Sequence, residues 1–478
     1  MHTLADICIA LILLTALLWA GLALRAQVGV FRRLFLPVSV IAGALGLLLG
    51  PQLAGPLLQG LSPWAGGLIP DTSVAVWAQL PGLLISVVFA ALFLGKALPG
   101  AGDIWRGSGP QLFLGYTISF GQYAIGLLLV MLVLTPLFGT NPLAGLLLEI
   151  SMTGGHGTAA GLGNTFEQLG FAEGRDLALA LATVGLVGGL LLGTLFVNIA
   201  ARKNIIDPGG SALESSAAPI KQLAPQRDDE AIEPAGVVEA LSLQVGLIGF
   251  AVLTGIALQQ LLQQAERLLW VQWTGQLMAY IPLFPLAMIG GVLLQWALTA
   301  VGRGYWVDGR LIERISGCAL DLIIVSALAT LSLSAIGAQF WPFVLLAVAG
   351  LAWTSFCFLV LAPRFMPEHW FARGVGDFGQ GTGMVVSGLV LMRMADPNGR
   401  SGNLERFGYK QLLFEPLVGG GLITALALPL AARFGSQPVL WWFGLLTLLT
   451  IGGGLWLGAR LRRQQGATAT YLMREPRT

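Results

Sequence analysis

The chain has 478 residues, 55% of them hydrophobic and only 10% charged, with a mean hydropathy of +0.78. Soluble domains carry about 25% charged residues, so charges this sparse exclude a water-soluble fold of this length. The net charge of +2 points away from nucleic acid, and glycine, at 65 residues, suits the close helix packing of a bilayer.

A membrane helix needs about 20 apolar residues to cross about 30 Å of hydrocarbon. The opening stretch MHTLADICIALILLTALLWAGLAL has no basic leading region and no small-residue cleavage site, so it reads as a retained first span. Eleven stretches qualify: roughly 7–25, 34–53, 80–98, 111–137, 177–200, 236–261, 277–299, 316–336, 341–362, 411–432 and 438–459. Two further glycine-rich stretches, 142–168 and 374–395, hold polar residues that lipid would not tolerate. They read as re-entrant hairpins that enter and leave on one side. Residues 202–234 form the only long hydrophilic segment, a flexible inner-side linker by its Pro, Ser, Gln and charge content. Cys8, Cys318 and Cys357 fall in apolar runs and suggest neither a disulfide framework nor a zinc site. Gly95-Lys96 is followed by Ala97, not the Ser or Thr of a nucleotide-binding loop.

Placing the N-terminus outside leaves only Arg175, Arg267 and Arg433 in outer loops and puts 23 of the 26 basic residues inward. The excess of Lys and Arg on the inner side favours this orientation, with the C-terminus in the cytoplasm of a bacterial inner (plasma) membrane. The halves resemble each other in order. FLPVSVIAG (35–43) pairs with LFPLAMIGG (283–291), and GGHGT (154–158) with FGQGT (378–382). Thr183 to Gly189 pairs with Phe414 to Gly420. Five spans is an odd number, so the halves have inverted topology, the arrangement of alternating-access transporters. The fold expected is an all-α membrane protein. Its first repeat half is 1–201 with hairpin 142–168, and its linker is 202–234. The second half is 235–435 with hairpin 374–395, and an extra span with a basic tail occupies 436–478.

Backbone leaves helical geometry at membrane depth only where protein or a watery cavity satisfies its polar groups. SMTGGHGTAAG (151–161) and DFGQGTG (377–383) suit such breaks. Half-helix ends meeting near the midplane would receive a carboxylate. The substrate-binding set is Thr153, Gly154, Gly155, His156, Gly157 and Thr158 with Gly379, Gln380, Gly381 and Thr382; Asn164 and Ser387 add polar partners. The competing reading of these glycines is close helix packing. His156 stands either as a substrate contact or as a structural imidazole, with proton carriage third. Asp377, Asp321 and Thr183 form the ion-binding set, with Na⁺ placed near Asp377 because hard cations prefer oxygen ligands. Arg373, one turn before Asp377, is the competing structural partner. Glu149 and Glu415 read as solvated acids near a surface.

These residues resemble the sodium:glutamate symporter family over about 5–435. The resemblance rests on SMTGGHGTAAG with ALATVGLVGGLLLG (180–193), and on FGQGTG with PLVGGG (416–421). It implies an inverted-repeat homodimer, an elevator movement of the hairpin-bearing part, and Na⁺-coupled uptake of an acidic amino acid, with no bound cofactor. The chain departs from the family pattern at Pro37-Val38-Ser39, at Gly383-Met384-Val385 and at Thr424, where an acid is expected. Asp377 and Gln380 replace small or apolar residues. The alternatives are a proton-coupled or differently selective organic-anion carrier of the same fold and a membrane-embedded enzyme. No HExxH or GxSxG sequence supports the enzyme, and neither hairpin offers the charge ring of a channel.

The orientation predicts which sites impermeant thiol reagents reach in intact cells. In a cysteine-free background, Ala65→Cys should react, whereas Ser215→Cys and Thr470→Cys should be protected until lysis. Labelling of Ser215→Cys without lysis contradicts the N-out orientation.

Overall fold

The computed structural model describes residues 3–33, 36–58, 67–96, 101–206, 234–269, 271–274, 277–396 and 402–472. Most of the expected linker, 207–233, lies outside the described residues. Among them the regular elements are helices, with no strand. Fourteen are named: α1 (Leu4–Gln27), α2 (Val38–Leu49), α3 (Asp71–Ala91), α4 (Ala101–Leu129), α5 (Gly155–Gly161), α6 (Gly174–Arg202), α7 (Pro234–Leu269), α8 (Leu283–Ala300), α9 (Gly309–Ala329), α10 (Phe340–Phe356), α11 (Trp370–Ala395), α12 (Asn403–Phe414), α13 (Leu422–Phe434) and α14 (Ser436–Leu472).

Nine helices among the described residues are long and apolar enough to cross a membrane. They correspond to nine of the eleven expected spans. The third starts earlier than expected and stops at Ala91, because the chain turns at Gly95, at φ +74°, whose N–H donates to Gln295 Oε1 at 2.8 Å. The other two fall short for different reasons. Helix α9 carries Arg310, Glu313, Arg314 and Asp321, too much charge for a purely apolar span. Helix α13 has 13 residues, about 20 Å at 1.5 Å per residue, and is separated from α12 by the turn at Glu415–Gly421.

The helices pack as two bundles, each drawing on both halves of the sequence. Helices α1, α2, α3, α7, α8 and α9 contact one another in the first; α4, α6, α10, α11, α12 and α14 form the second, with the segment Pro142–Gly161 threaded through it. The main helical bridge between bundles is α5, which rests on α3 and α9. Its facing residues are small: a Cβ on Gly161 or Gly157 would stand 3.0 Å or 3.1 Å from Ile85.

A second correspondence between the halves appears in the backbone. Helix α4 runs into a π-helical turn at Val130–Leu134 and then Thr135–Phe138; α10 runs into one at Cys357–Leu361 and then Ala362–Phe365. Both carry the pattern Leu-Val-Leu-Xaa-Pro-Xaa-Phe, at 132–138 and 359–365. Pro136 and Pro363 lack the N–H that an α-helix would use and crowd the carbonyl four residues back, so each helix widens by one residue per turn.

Within the first bundle α7 and α8 touch through backbone. A Cβ on Gly255 would lie 2.6 Å from Ala287 N, whereas one on Gly249, on the same helix, would meet nothing within 4 Å. Overpacking typically costs about 1–3 kcal/mol. Gly255→Leu should therefore lower the thermal unfolding temperature of the detergent-solubilised protein, and Gly249→Leu should leave it within error; equal effects would contradict this packing.

Candidate substrate and ion site

Both helix breaks lie in the second bundle, and they touch. The first follows a π-helical turn at Glu149–Thr153, where Gly155 takes φ +76°. The second interrupts α11 at Gly383–Met384, with Met384 at φ +75° and ψ 168°. That region is almost closed to side-chain-bearing residues and costs about 1–3 kcal/mol. The Met384 side chain lies against Gly155, so that a Cβ on Gly155 would stand 2.7 Å from Sδ. Beyond the break the two arms of α11 run back along each other, Gly379 against Gly388 and Gly376 against Met392. The second break is thus two residues past Gly381, which lies inside the first arm rather than at the tip.

Gln122, in the middle of α4, joins the two broken segments. Thr153 Oγ1 donates to its Oε1 at 2.7 Å, while its Nε2 donates to the Gly381 carbonyl at 2.6 Å and to Thr354 Oγ1 at 3.2 Å. The first arm of α11 ends on α6, where Gly185 and Gly189 leave the room that Thr382 fills. Thr382 Oγ1 donates back to the Phe378 carbonyl at 3.0 Å, and Thr158 Oγ1 to the Gly154 carbonyl at 3.0 Å. Both hydroxyl protons are therefore held by the local backbone.

Asp377 is fully buried and pairs with Lys410 of α12, not with Arg373. Lys410 Nζ lies 2.6 Å from Asp377 Oδ1 and 2.6 Å from Gln380 Oε1. The Gln380 and Gln411 amides bond each other reciprocally at 3.0 Å. The ammonium also sits over the Phe414 ring, 4.0 Å from its centroid. Gly115 of α4 admits this side chain: a Cβ there would be 2.7 Å from Lys410 Cε. A narrow polar gap with no room for a water molecule adjoins the pair, lined by Ser119, Thr153, Asp377, Gln380 and Gly381 among others.

Glu149 corrects the sequence reading. It is completely buried rather than solvated. Its carboxylate accepts hydrogen bonds from the Tyr123 hydroxyl, from Thr424 Oγ1 at 3.0 Å and from the Gly419 N–H at 2.7 Å. The glycine run of PLVGGG thereby has a purpose: Gly419 and Gly420, at φ +71° and +106°, turn the chain between α12 and α13 so that it donates to this acid. Glu415, the other acid read as solvated, lies near Lys410 and Lys96 and is only partly exposed.

His156 is fully buried. Thr183 Oγ1 donates to the Leu179 carbonyl at 3.0 Å, so the His156 Nε2–H donates to Thr183 at 3.0 Å. Its Nδ1 has no partner. Thr183 is thereby engaged with the imidazole and with its own helix. Asp321 is exposed on α9 in the other bundle, away from Asp377. Among the described residues no three His, Cys, Asp or Glu side chains cluster as a metal site would require.

Sequence reasoning missed Gln122, Tyr123, Glu149 and Lys410. A Gln-Tyr pair at the centre of an apolar span was a legible signal, since polar groups at that depth need partners. No local pattern links Lys410 to Asp377, 33 positions away; only the packing of α12 on α11 does.

A family model described as sodium/glutamate symporter matches residues 73–376, well over half of the chain. The chain is similar to the sodium/glutamate symporter of Escherichia coli strain K12, 25% identical over 408 residues that cover 80% of this chain and 93% of that protein. It is similar also to the sodium/glutamate symporter of Haemophilus influenzae, 23% identical over 381 residues covering 76% and 86%. With nine apolar helices among the described residues, the chain is a multi-pass membrane protein that belongs to the sodium/glutamate symporter family.

Proposed function

We propose that this protein is a secondary active symporter that takes up an acidic amino acid or a related small carboxylate together with Na⁺. The observation that carries the reading is the meeting of two helix breaks, Gly155 against Met384, beside a buried polar cluster deep in an apolar helical body. Such breaks free peptide N–H groups, which favour anions, and inverted-repeat carriers bind substrate at this kind of junction. The relatives' names supply Na⁺ and glutamate as the first pair to test.

We read the two halves as an inverted repeat, 1–201 and 235–435, with re-entrant segments at 142–168 and 374–395 and the extra span at 436–478. The paired π-helical turns before Pro136 and Pro363 support this. In an elevator mechanism the second bundle carries the site and the first is the scaffold of a homodimer in the inner membrane, N-terminus out and C-terminus in. The smooth glycine face of α5 against Ile85 supports sliding. Substrate would be held by Thr153 to Thr158 and Gly379 to Thr382. A proton-coupled or otherwise selective organic-anion carrier is the second reading. It is favoured by Lys410, which fills the oxygen site near Asp377 where Na⁺ was expected.

Proteoliposomes loaded with the purified protein test both readings. An imposed inward Na⁺ gradient should drive accumulation of L-glutamate, L-aspartate or a dicarboxylate; accumulation under a proton gradient alone selects the second reading, and none under either gradient overturns both. Gly155→Val should lower uptake at least tenfold while the protein still inserts and elutes as folded. A role in packing alone would instead remove folded protein.

A further inference from the structure

We propose that the Lys410–Asp377 ion pair is the coupling element: a substrate carboxylate takes Lys410, and the coupling cation takes the Asp377 carboxylate so released. The proposal rests on the symporter reading and adds how the two solutes become linked.

Three observations point to it. The pair is buried on both sides, with side-chain exposures of 1% and 0%, and it adjoins the narrow polar gap between the two broken segments. Asp377 Oδ2 and Ser119 Oγ, from two residues that border that gap, are buried with no hydrogen-bond partner. An acceptor and a hydroxyl are therefore available beside an ammonium already held by an oxygen set. Third, the gap is bounded by Thr153 and Gly381, the two residues that Gln122 ties together, so a ligand that widens it bears on both broken segments.

The physical consequence is mutual dependence. Splitting a buried pair to serve one newcomer leaves the other charge unpaired, which is strongly unfavourable in a low-dielectric interior. A carboxylate alone strands Asp377; a cation alone strands Lys410. Both together convert one pair into two, with every charge matched. Carboxylate oxygens with a hydroxyl such as Ser119 suit a hard cation. The other charged groups nearby are Glu415, which acts on Lys410 from the end of α12, Lys96 facing Glu415, and Arg373, whose side chain is not bonded to Asp377. The alternative is a structural clamp that holds α12 on α11.

Calorimetric binding of L-glutamate to the purified full-length protein, with NaCl replaced stepwise by choline chloride, separates the two. In wild type, 100 mM Na⁺ should tighten glutamate binding at least tenfold. Asp377→Asn, which leaves Lys410 without a rival, should bind at least as tightly as wild type without Na⁺ and show less than a twofold Na⁺ effect. Lys410→Gln should lose glutamate binding. Should the single variants not fold, the doubly neutral Asp377→Asn/Lys410→Gln leaves no stranded charge and should fold but bind no glutamate at any Na⁺ concentration. Wild-type Na⁺ linkage in Asp377→Asn or in the double variant overturns the proposal. Wild type that binds glutamate without any Na⁺ effect overturns it too, but leaves the carboxylate carrier standing; wild type that binds neither glutamate, aspartate nor succinate overturns the carrier reading and this proposal with it.

Discussion

A peptide group released from a helix inside a bilayer has no water to turn to, and each unsatisfied one costs several kcal/mol. The architecture of the second bundle follows from that constraint. Its two breaks, at Gly154–Gly155 and Gly383–Met384, are placed against each other and surrounded by helices. Gln122 meets the Gly381 carbonyl, and the Glu149 carbonyl receives the Gly154 N–H at 2.8 Å. The glycines of α6 bring a third helix close enough to shield the end of the first arm. Broken backbone is affordable here only because long, unbroken helices wall it off from lipid.

The same constraint explains the charges. Two acids, Asp377 and Glu149, sit fully buried in the bundle that holds the breaks, and each is answered differently. Asp377 has a cation, Lys410. Glu149 has three donors, from α4, from the turn before α13 and from Thr424. The family pattern led to an acid at 424; here that position is a threonine whose hydroxyl bonds the Glu149 carboxylate.

Much of this was legible in the sequence, for reasons that can be named. Apolar runs near 20 residues located nine helices because the bilayer sets that length directly. Where the length rule met charge or a turn, the helices depart from it: α9 carries four charged side chains, and the stretch 411–432 is divided by the glycine turn that serves Glu149. Glycine clusters located both breaks because glycine tolerates the dihedrals. The second was displaced to Gly383–Met384 because Met384, a residue for which positive φ is uncommon, carries the turn there. The partners were not legible. Lys410 reaches Asp377 and Thr153 reaches Gln122 through tertiary packing, and a single sequence encodes no such distance. The proline-marked π-helical turns were visible as Leu-Val-Leu-Xaa-Pro-Xaa-Phe, but a short apolar match draws little notice until both copies are seen to bend the backbone alike.

The strained residue at the meeting point ties these threads together. Met384 holds a backbone conformation that glycine would adopt more easily, and its side chain is what closes the gap to Gly155. A glycine there would relax the backbone and remove the plug. Retaining methionine means that contact between the tips offsets local strain of about 1–3 kcal/mol, and a flexible thioether suits a contact that must open and re-form. The tips are therefore joined by an apolar contact, with the hydrogen bonds through Gln122 within a turn of them and the ion pair at Lys410 further down the first arm. Parting the tips would break one apolar contact and draw on the Gln122 bonds just below, which a single side chain makes to both segments.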